Sequence, residues 1–251
     1  MTDSCYLAEL GDPRPGDVVL LAGSEGYHAA VVKRTRVGES VLVTDGRGLA
    51  VRGVAIEVTR QRLHIRVAEC LRAEPRTHLW TVVQALAKGD RPEIAVATLT
   101  ELGVDQILAW QAARSVVRWE TRDGTETKAG KGVARWQATA RESTKQSRRL
   151  RVPRVGYADT ARVCALISGS ALALICHRDA RLPLAEVRLP SCGEVTIVVG
   201  PEGGITESEL ASFTTAGGLP VSLTDGVLRT SSAATVALAQ LRLLAQIQQN
   251  A

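Results

Sequence analysis

Apolar and polar positions alternate with period two up to about Arg72. Val54, Ile56 and Val58 share one parity, and Leu63, Ile65 and Val67 do so again with Arg62, His64 and Arg66 between them. Alternation of this kind lines the two faces of a half-buried strand, so residues 1–72 predict antiparallel β-structure. Turn residues at Gly23-Ser24-Glu25-Gly26 and Asp45-Gly46-Arg47-Gly48 cut the segment into five or six short strands, the make-up of a small β-barrel.

After Ala73-Glu74-Pro75 the texture changes to strands that alternate with helices. Residues 78–87 read as a buried strand, Asp90 and Glu93 as the capping pair of a helix, Gly103 as its stop and 104–110 as the next strand. This is a βαβ unit, right-handed by default. Further strands are predicted at 171–176, 195–199 and 220–223, and helices at 131–148, 206–216 and 231–248. The class is therefore α/β, a parallel sheet with helices on both faces over residues 73–251, preceded by the small barrel. In the last helix Ala234, Ala237, Leu238, Leu241, Leu244 and Ala245 form a broad apolar face, with Gln240, Arg242 and Gln246 on the other side. That face either seats a second copy of the chain, the reading preferred here, or closes the sheet of its own subunit.

Composition narrows the classes. Apolar residues are 45% and charged residues 23% of the 251, which excludes a disordered tail. The longest apolar runs, such as 171–176, fall far short of a membrane span. Asp3 and Glu9 stand where a secretory signal needs a basic flank and an apolar run, so a cytoplasmic protein is expected. Five cysteines, odd in number and without a C-x-x-C pair, suggest reduced and mostly buried thiols, with neither a disulfide framework nor a metal site.

The net charge of +5 is unevenly spread. Residues 114–154 hold twelve Lys and Arg against Glu120, Asp123, Glu126 and Glu142, a local +8 that leaves −3 for the remainder. One basic stretch on a slightly acidic chain is the pattern of a polyanion-binding surface, although a solvated helix with loops has the same composition. Trp110, Trp119 and Trp136 lie in or beside the stretch; core packing is the simpler role for each, a base-stacking platform the sharper one.

In open α/β sheets ligands bind where strands end, and the sharpest such loop is Gly200-Pro201-Glu202-Gly203-Gly204. It follows an all-apolar strand ending at Val199 and precedes a helix with Thr206 and Glu209 in capping-box spacing, so its glycines present bare N–H groups. Neither a Gly-Lys-Ser/Thr phosphate loop nor a G-x-G-x-x-G after a strand is present. A second loop, 223–232, carries Arg229 beside Val227 and Leu228, then Thr230, Ser231 and Ser232. These hydroxyls can cap the final helix or touch a ligand, and Arg229 can hold an anionic or carbonyl-bearing group or merely a surface ion pair.

Taken in order, Lys88-Gly89-Asp90-Arg91, Thr100-Glu101-Leu102-Gly103-Val104, Arg114-Ser115-Val116-Val117, Glu142 with Gln146-Ser147, Val152-Pro153, Gly200-Pro201-Glu202-Gly203-Gly204 and Val227-Leu228-Arg229-Thr230 resemble the RsmE family. Those enzymes are SPOUT methyltransferases that methylate N3 of a uridine in small-subunit ribosomal RNA with S-adenosyl-L-methionine. The resemblance spans essentially the whole chain. It implies a PUA-like RNA-binding barrel, a trefoil knot in the α/β domain, a homodimer, and ribosomal RNA or the assembled 30S subunit as partner, with no membrane and no metal. It also implies a cofactor pocket of Cys176, His177, Val199, Gly200, Pro201, Glu202, Gly203, Gly204, Leu223, Val227, Leu228, Thr230 and Ser232. Arg229 is the catalytic candidate, as the cation beside the uracil carbonyls. The RNA-binding candidates are Lys33, Arg34, Arg91, Arg114, Arg118, Arg148 and Arg149, while Glu101 and Glu202 are the available carboxylates for a base. The chain departs from the family at Ser231, where a glutamate is usual, at Lys145 and Arg148, which replace an acid and a glycine, and near Tyr6, where no arginine-aromatic segment is recognisable. The alternatives are a non-catalytic ribosome-assembly factor and a nucleotide-dependent enzyme.

Overall fold

The structure is a computed structural model that describes residues 3–89, 91–119 and 128–249. It comprises two compact units, Met1–Pro75 with Arg141–Val152, and Arg76–Ala140 with Pro153–Ala251.

In the first unit β1 (Ser4–Leu7), β2 (Val18–Leu21), β3 (Ser40–Thr44), β4 (Leu49–Val58) and β5 (Leu63–Arg72) form one curled sheet in the order β1-β3-β4-β5-β2. It is a half-barrel with β1 and β2 at its edges; β1 runs parallel to β3 and the other pairs are antiparallel. The turn at Asp45 forms as its sequence predicts: the carboxylate Oδ1 accepts from the N–H groups of Arg47, Gly48 and Leu49, and Gly46 adopts φ 71°. The other predicted turn is a helix. Residues Gly23–Tyr27 form α1, which runs on into a π-helical turn at His28–Val32 and buries Ala29 in the core. Gly26 is required there because a Cβ would lie 2.2 Å from the Gln61 carbonyl oxygen.

The phase of β4 also differs from its alternation. Val51, Gly53 and Ala55 face inward, while Val54 is 40% exposed and Ile56 half-buried. Register shifts at Arg52/Gly53 and Ala55/Glu57 move the strand out of parity, and a side chain at Gly53 would strike the Arg66 carbonyl. In β5 the expected face holds, with Leu63, Ile65 and Val67 buried beside Tyr6, Leu21 and Val43.

The segment Arg141–Val152, which the sequence assigns to the second domain, belongs to this first unit. It is fastened by Thr44 Oγ1 donating to the Leu150 carbonyl at 3.0 Å, by Val152 N–H donating to Gly46 at 2.9 Å and by Lys145 between Glu25 and Glu142, 2.8 Å from each.

In the second unit six strands lie wholly parallel: β6 (His78–Ala85), β7 (Gln106–Trp110), β8 (Arg154–Ala158), β9 (Leu172–Cys176), β10 (Gly193–Val199) and β11 (Leu219–Val221), in the order β11-β9-β10-β6-β7-β8. The predicted βαβ unit is β6, α2 (Arg91–Leu102) and β7, with Gly103 at φ 82° ending the helix. The capping role of Asp90 falls outside the described residues. Helix α3 (Lys128–Gln146) runs from this unit into the first.

Val83, Leu108, Ile175 and Val198 pack against α4 (Thr160–Gly169) and α5 (Glu207–Thr215). Val82, Ile107, Leu174 and Ile197 alternate to the opposite face, which α2 and α6 (Thr230–Gln249) cover. This corrects the reading of the last helix. Ala234, Ala237, Leu238 and Leu241 are fully buried within their own unit, so the apolar face closes the sheet rather than seating a second copy.

Trp110, Trp119 and Trp136 are also buried, which removes the stacking-platform reading: Trp119 meets Trp136 edge-on at 5.4 Å and covers Gly132, where a Cβ would lie 2.4 Å from the indole. No disulfide forms among the described residues, but the thiols are less buried than expected, with Cys70 and Cys192 exposed. No described helix is long and apolar enough to cross a membrane.

Candidate active site

Because the second sheet is all parallel, its carboxyl ends share one edge, where the connecting loops diverge. Cys176 to Asp179 after β9, Val199 to Ile205 after β10, and Val227 to Thr230 before α6 bound an open cleft there of about 480 Å³. Arg91 and Arg114 complete its wall, and the volume is that of a small-molecule site. A recess of about 100 Å³ extends it past Leu223, Thr224 and Gly226.

Close packing shapes the glycine loop. A Cβ on Gly200 would lie 2.7 Å from Ile205 Cγ1, and Gly204 adopts φ 75°, a left-handed conformation that only glycine takes freely. Thr230 Oγ1 donates to the Gly200 carbonyl, tying this loop to the start of α6. Arg114 Nη1 donates to the Gly203 carbonyl at 3.0 Å.

Glu202 accepts from Arg91 Nη1 at 2.9 Å and from Lys88 N–H at 3.5 Å. Burial pushes its carboxyl up, but hydrogen bonds from its own backbone, Arg91 and Lys88, with the Arg91 charge, outweigh that and hold it below the usual carboxylate range. Glu202 is thus an anion committed to an ion pair. Beside it, burial pushes the Cys176 thiol up to about 12, so sulfur is a neutral, apolar part of the wall.

The Thr206–Glu209 capping box forms as predicted, and Glu209 does more than cap. Its buried carboxylate accepts from Thr206 N–H at 2.9 Å and Thr206 Oγ1 at 2.8 Å, and also from Ala113 N–H at 2.7 Å. The segment that carries Arg114 is thereby fixed to α5.

The chain's relatives share this architecture. A model of the RNA methyltransferase domain matches residues 74–242. The ribosomal RNA small subunit methyltransferase E of Mycobacterium bovis is 42% identical over 231 residues, 90% of this chain and 86% of that protein. The chain belongs to the ribosomal RNA small subunit methyltransferase E family. The Neisseria gonorrhoeae methyltransferase E, solved with S-adenosyl methionine, is 26% identical, with TM-score 0.83 over 97% of this chain and 98% of that one. A Legionella pneumophila methyltransferase in complex with SAM is 25% identical, with TM-score 0.81 over 97% and 98%.

Of the methyltransferase residues anticipated in the sequence, Cys176, His177, Val199, Gly200, Pro201, Glu202, Gly203, Gly204, Val227, Leu228, Arg229 and Thr230 meet on the main cleft, and Leu223 lines the recess. Ser232 does not: it is exposed on the first turn of α6, one position from buried Ser231 and Ala233, and its N–H is spent on the Arg229 carbonyl at 2.9 Å. Arg178, Asp179, Ile205 and Ala233 were missed, although 178–179 simply extend a loop already singled out. Arg229 is exposed, and its guanidinium makes no hydrogen bond or ion pair among the described residues. Glu101 lies at the end of α2 and not on the cleft. The basic candidates divide between the units, with Lys33, Arg34, Arg148 and Arg149 on the first and Arg91, Arg114 and Arg118 on the second.

Proposed function

We propose that the protein methylates N3 of a uridine in small-subunit ribosomal RNA, using S-adenosyl-L-methionine. The observation that carries this reading is the meeting of the Gly200–Gly204 loop with the ends of β9 and of the 223–230 loop in one cleft. The residues fit the cofactor. Leu228, Val227, Cys176 and Ala233 supply an apolar wall for a purine, and the N–H groups of Gly203, Val227 and Leu228 make no hydrogen bond among the described residues, leaving them to a ligand. Bound there, the cofactor supplies an electrophilic methyl group on a sulfonium.

The chain's part is alignment and charge. A cleft fixed by Thr230, Arg114 and Glu202 holds the two reactants in line, which removes much of the entropic barrier. Arg229 stabilises negative charge that develops on the uracil carbonyls as N3 loses its proton. Lys33, Arg34, Arg148 and Arg149 of the half-barrel, with Arg91, Arg114 and Arg118, neutralise RNA phosphates. The half-barrel is read as PUA-like, and the C-terminal strands as threaded in a trefoil knot, with β10 inserted between β9 and β6 in support. A homodimer belongs to the same reading; Leu243 and Ile247, 57% and 55% exposed on α6, are the apolar side chains open to a second copy.

The test is methyl transfer to small subunits that lack the modification, followed by nucleoside analysis. One 3-methyluridine per subunit is expected, and Arg229→Ala lowers turnover by about a hundred- to a thousand-fold with cofactor affinity retained. A parent protein that yields no 3-methyluridine contradicts the reading; equal losses of turnover and affinity make Arg229 a scaffold residue.

A further inference from the structure

Methylation at N3 of uracil requires a proton acceptor. The nitrogen carries a hydrogen, so its electron pair becomes available only as that proton departs. Few acceptors stand on the cleft wall. Glu202 is held ionised in its pair with Arg91, where hydrogen bonds make it a weak base. Asp179 is exposed and faces Arg178 Nε at 3.4 Å. Cys176 is a neutral thiol.

The four histidines separate clearly. His28 packs edge-on to Tyr6 at 6.5 Å, His64 Nδ1 lies 3.2 Å from Glu57, and His78 Nε2 lies 2.8 Å from the Pro190 carbonyl. His177 alone lines the cleft, and it borders the adjoining recess as well. Its N–H donates to Val221 at 3.0 Å and its carbonyl accepts from Ala180 N–H at 3.1 Å, so its backbone is spent within the fold. Its ring makes no hydrogen bond, ion pair or ring contact among the described residues. The imidazole is therefore the polar part of His177 left for a ligand.

From this placement, and resting on the proposed methylation of N3, we infer that the His177 imidazole is the base that takes the N3 proton of the target uridine. The N–H bonding pair stays on N3 and forms the new bond to the methyl carbon. The methyl–sulfur bond breaks with its pair on sulfur, which leaves as a neutral thioether, and the imidazolium returns its proton to water. The charges around the cleft suit an anionic uracil: Arg91, Arg114, Arg178 and Arg229 against Asp179 and Glu202. A neutral imidazole carries a free nitrogen lone pair that can accept the proton.

The test uses the full chain as His177→Gln, with small subunits carrying either uridine or 5-fluorouridine, whose N3 proton is more acidic. Cofactor affinity by calorimetry should fall by no more than about tenfold, since His177 also borders the cleft, and by far less than the rate. Single-turnover methylation of ordinary subunits at neutral pH should fall about 10²- to 10⁴-fold. The variant's rate should climb more steeply with pH than the parent's, because solvent base must then take the N3 proton. 5-Fluorouridine should restore the variant by a larger factor than it changes the parent. A variant rate near the parent's, a loss of rate matched by a loss of cofactor affinity, or no selective rescue by 5-fluorouridine would each overturn the inference. A parent that methylates no uridine overturns the reaction itself, and the parent arm alone reveals that.

Discussion

Arg148 adopts φ 53°, a left-handed conformation that costs an L-residue about 1–2 kcal/mol and glycine almost nothing. A glycine at this position would be free of that cost. The arginine also offers an exposed guanidinium, whose Nε donates to the Asp3 carbonyl at 2.9 Å. Arg148→Gly should therefore leave folding stability unchanged or raise it by up to about 1 kcal/mol in denaturant titration. It should also flatten the salt dependence of ribosomal RNA binding by about 0.7 to 0.9 in the log–log slope. An unchanged slope would remove Arg148 from the RNA surface. Legibility in the sequence also varied residue by residue. The Gly200–Gly204 loop and Arg229 were visible as glycines and a lone charge at strand ends. Ser232 misled because hydroxyls after a strand look alike, and only the helical rotation of about 100° per residue shows which of Ser231, Ser232 and Ala233 turns away from the fold.

At the scale of elements, α5 is anchored by one carboxylate. Glu209 serves Thr206 and Ala113 together from a site 6% exposed, so its removal strands buried donors. Glu209→Ala should cost about 2 kcal/mol of stability, and Thr206→Ala about 1 kcal/mol, measured by chemical denaturation. A Glu209→Ala loss below about 0.5 kcal/mol would mean that water replaces the carboxylate. Most elements of the second unit were legible because buried parallel strands and capped helices carry strong local signals. Strand β8 and helix α4 were overlooked although Asp159 caps the latter, its Oδ1 accepting from Arg162 N–H at 2.8 Å. Helix α1 and the phase of β4 were less accessible: Gly23 and Gly26 mimic a turn, and the bulges beside Arg52 and Ala55 are set by the partner strand.

Long-range assignments were the least legible at the scale of the whole molecule. Nothing local announces that Arg141–Val152 belongs with the half-barrel, because Lys145 meets Glu25 across 120 positions of sequence. The charge of Lys145 is matched within the same unit, by Glu25 and Glu142. Burial pulls the ammonium down, yet Glu142 and Glu25 outweigh it and hold Lys145 above the usual lysine value, charged at neutral pH. The apolar face of α6 likewise had two possible partners in the sequence, and packing against β6, β10 and α2 selects its own sheet.

The central claim is that the cleft at the carboxyl edge of β9 and β10 is the cofactor site, and calorimetric titration with S-adenosyl-L-methionine tests it most directly. A side chain at Gly203 begins 3.1 Å from Arg114 Cβ, so a valine there displaces the cleft wall while leaving the sheet alone. The parent should bind one cofactor per chain without added metal. Gly203→Val, with an unchanged circular dichroism spectrum, should bind at least about thirtyfold more weakly, a loss of about 2 kcal/mol. A parent that does not titrate, or a folded Gly203→Val that titrates like it, would contradict the account.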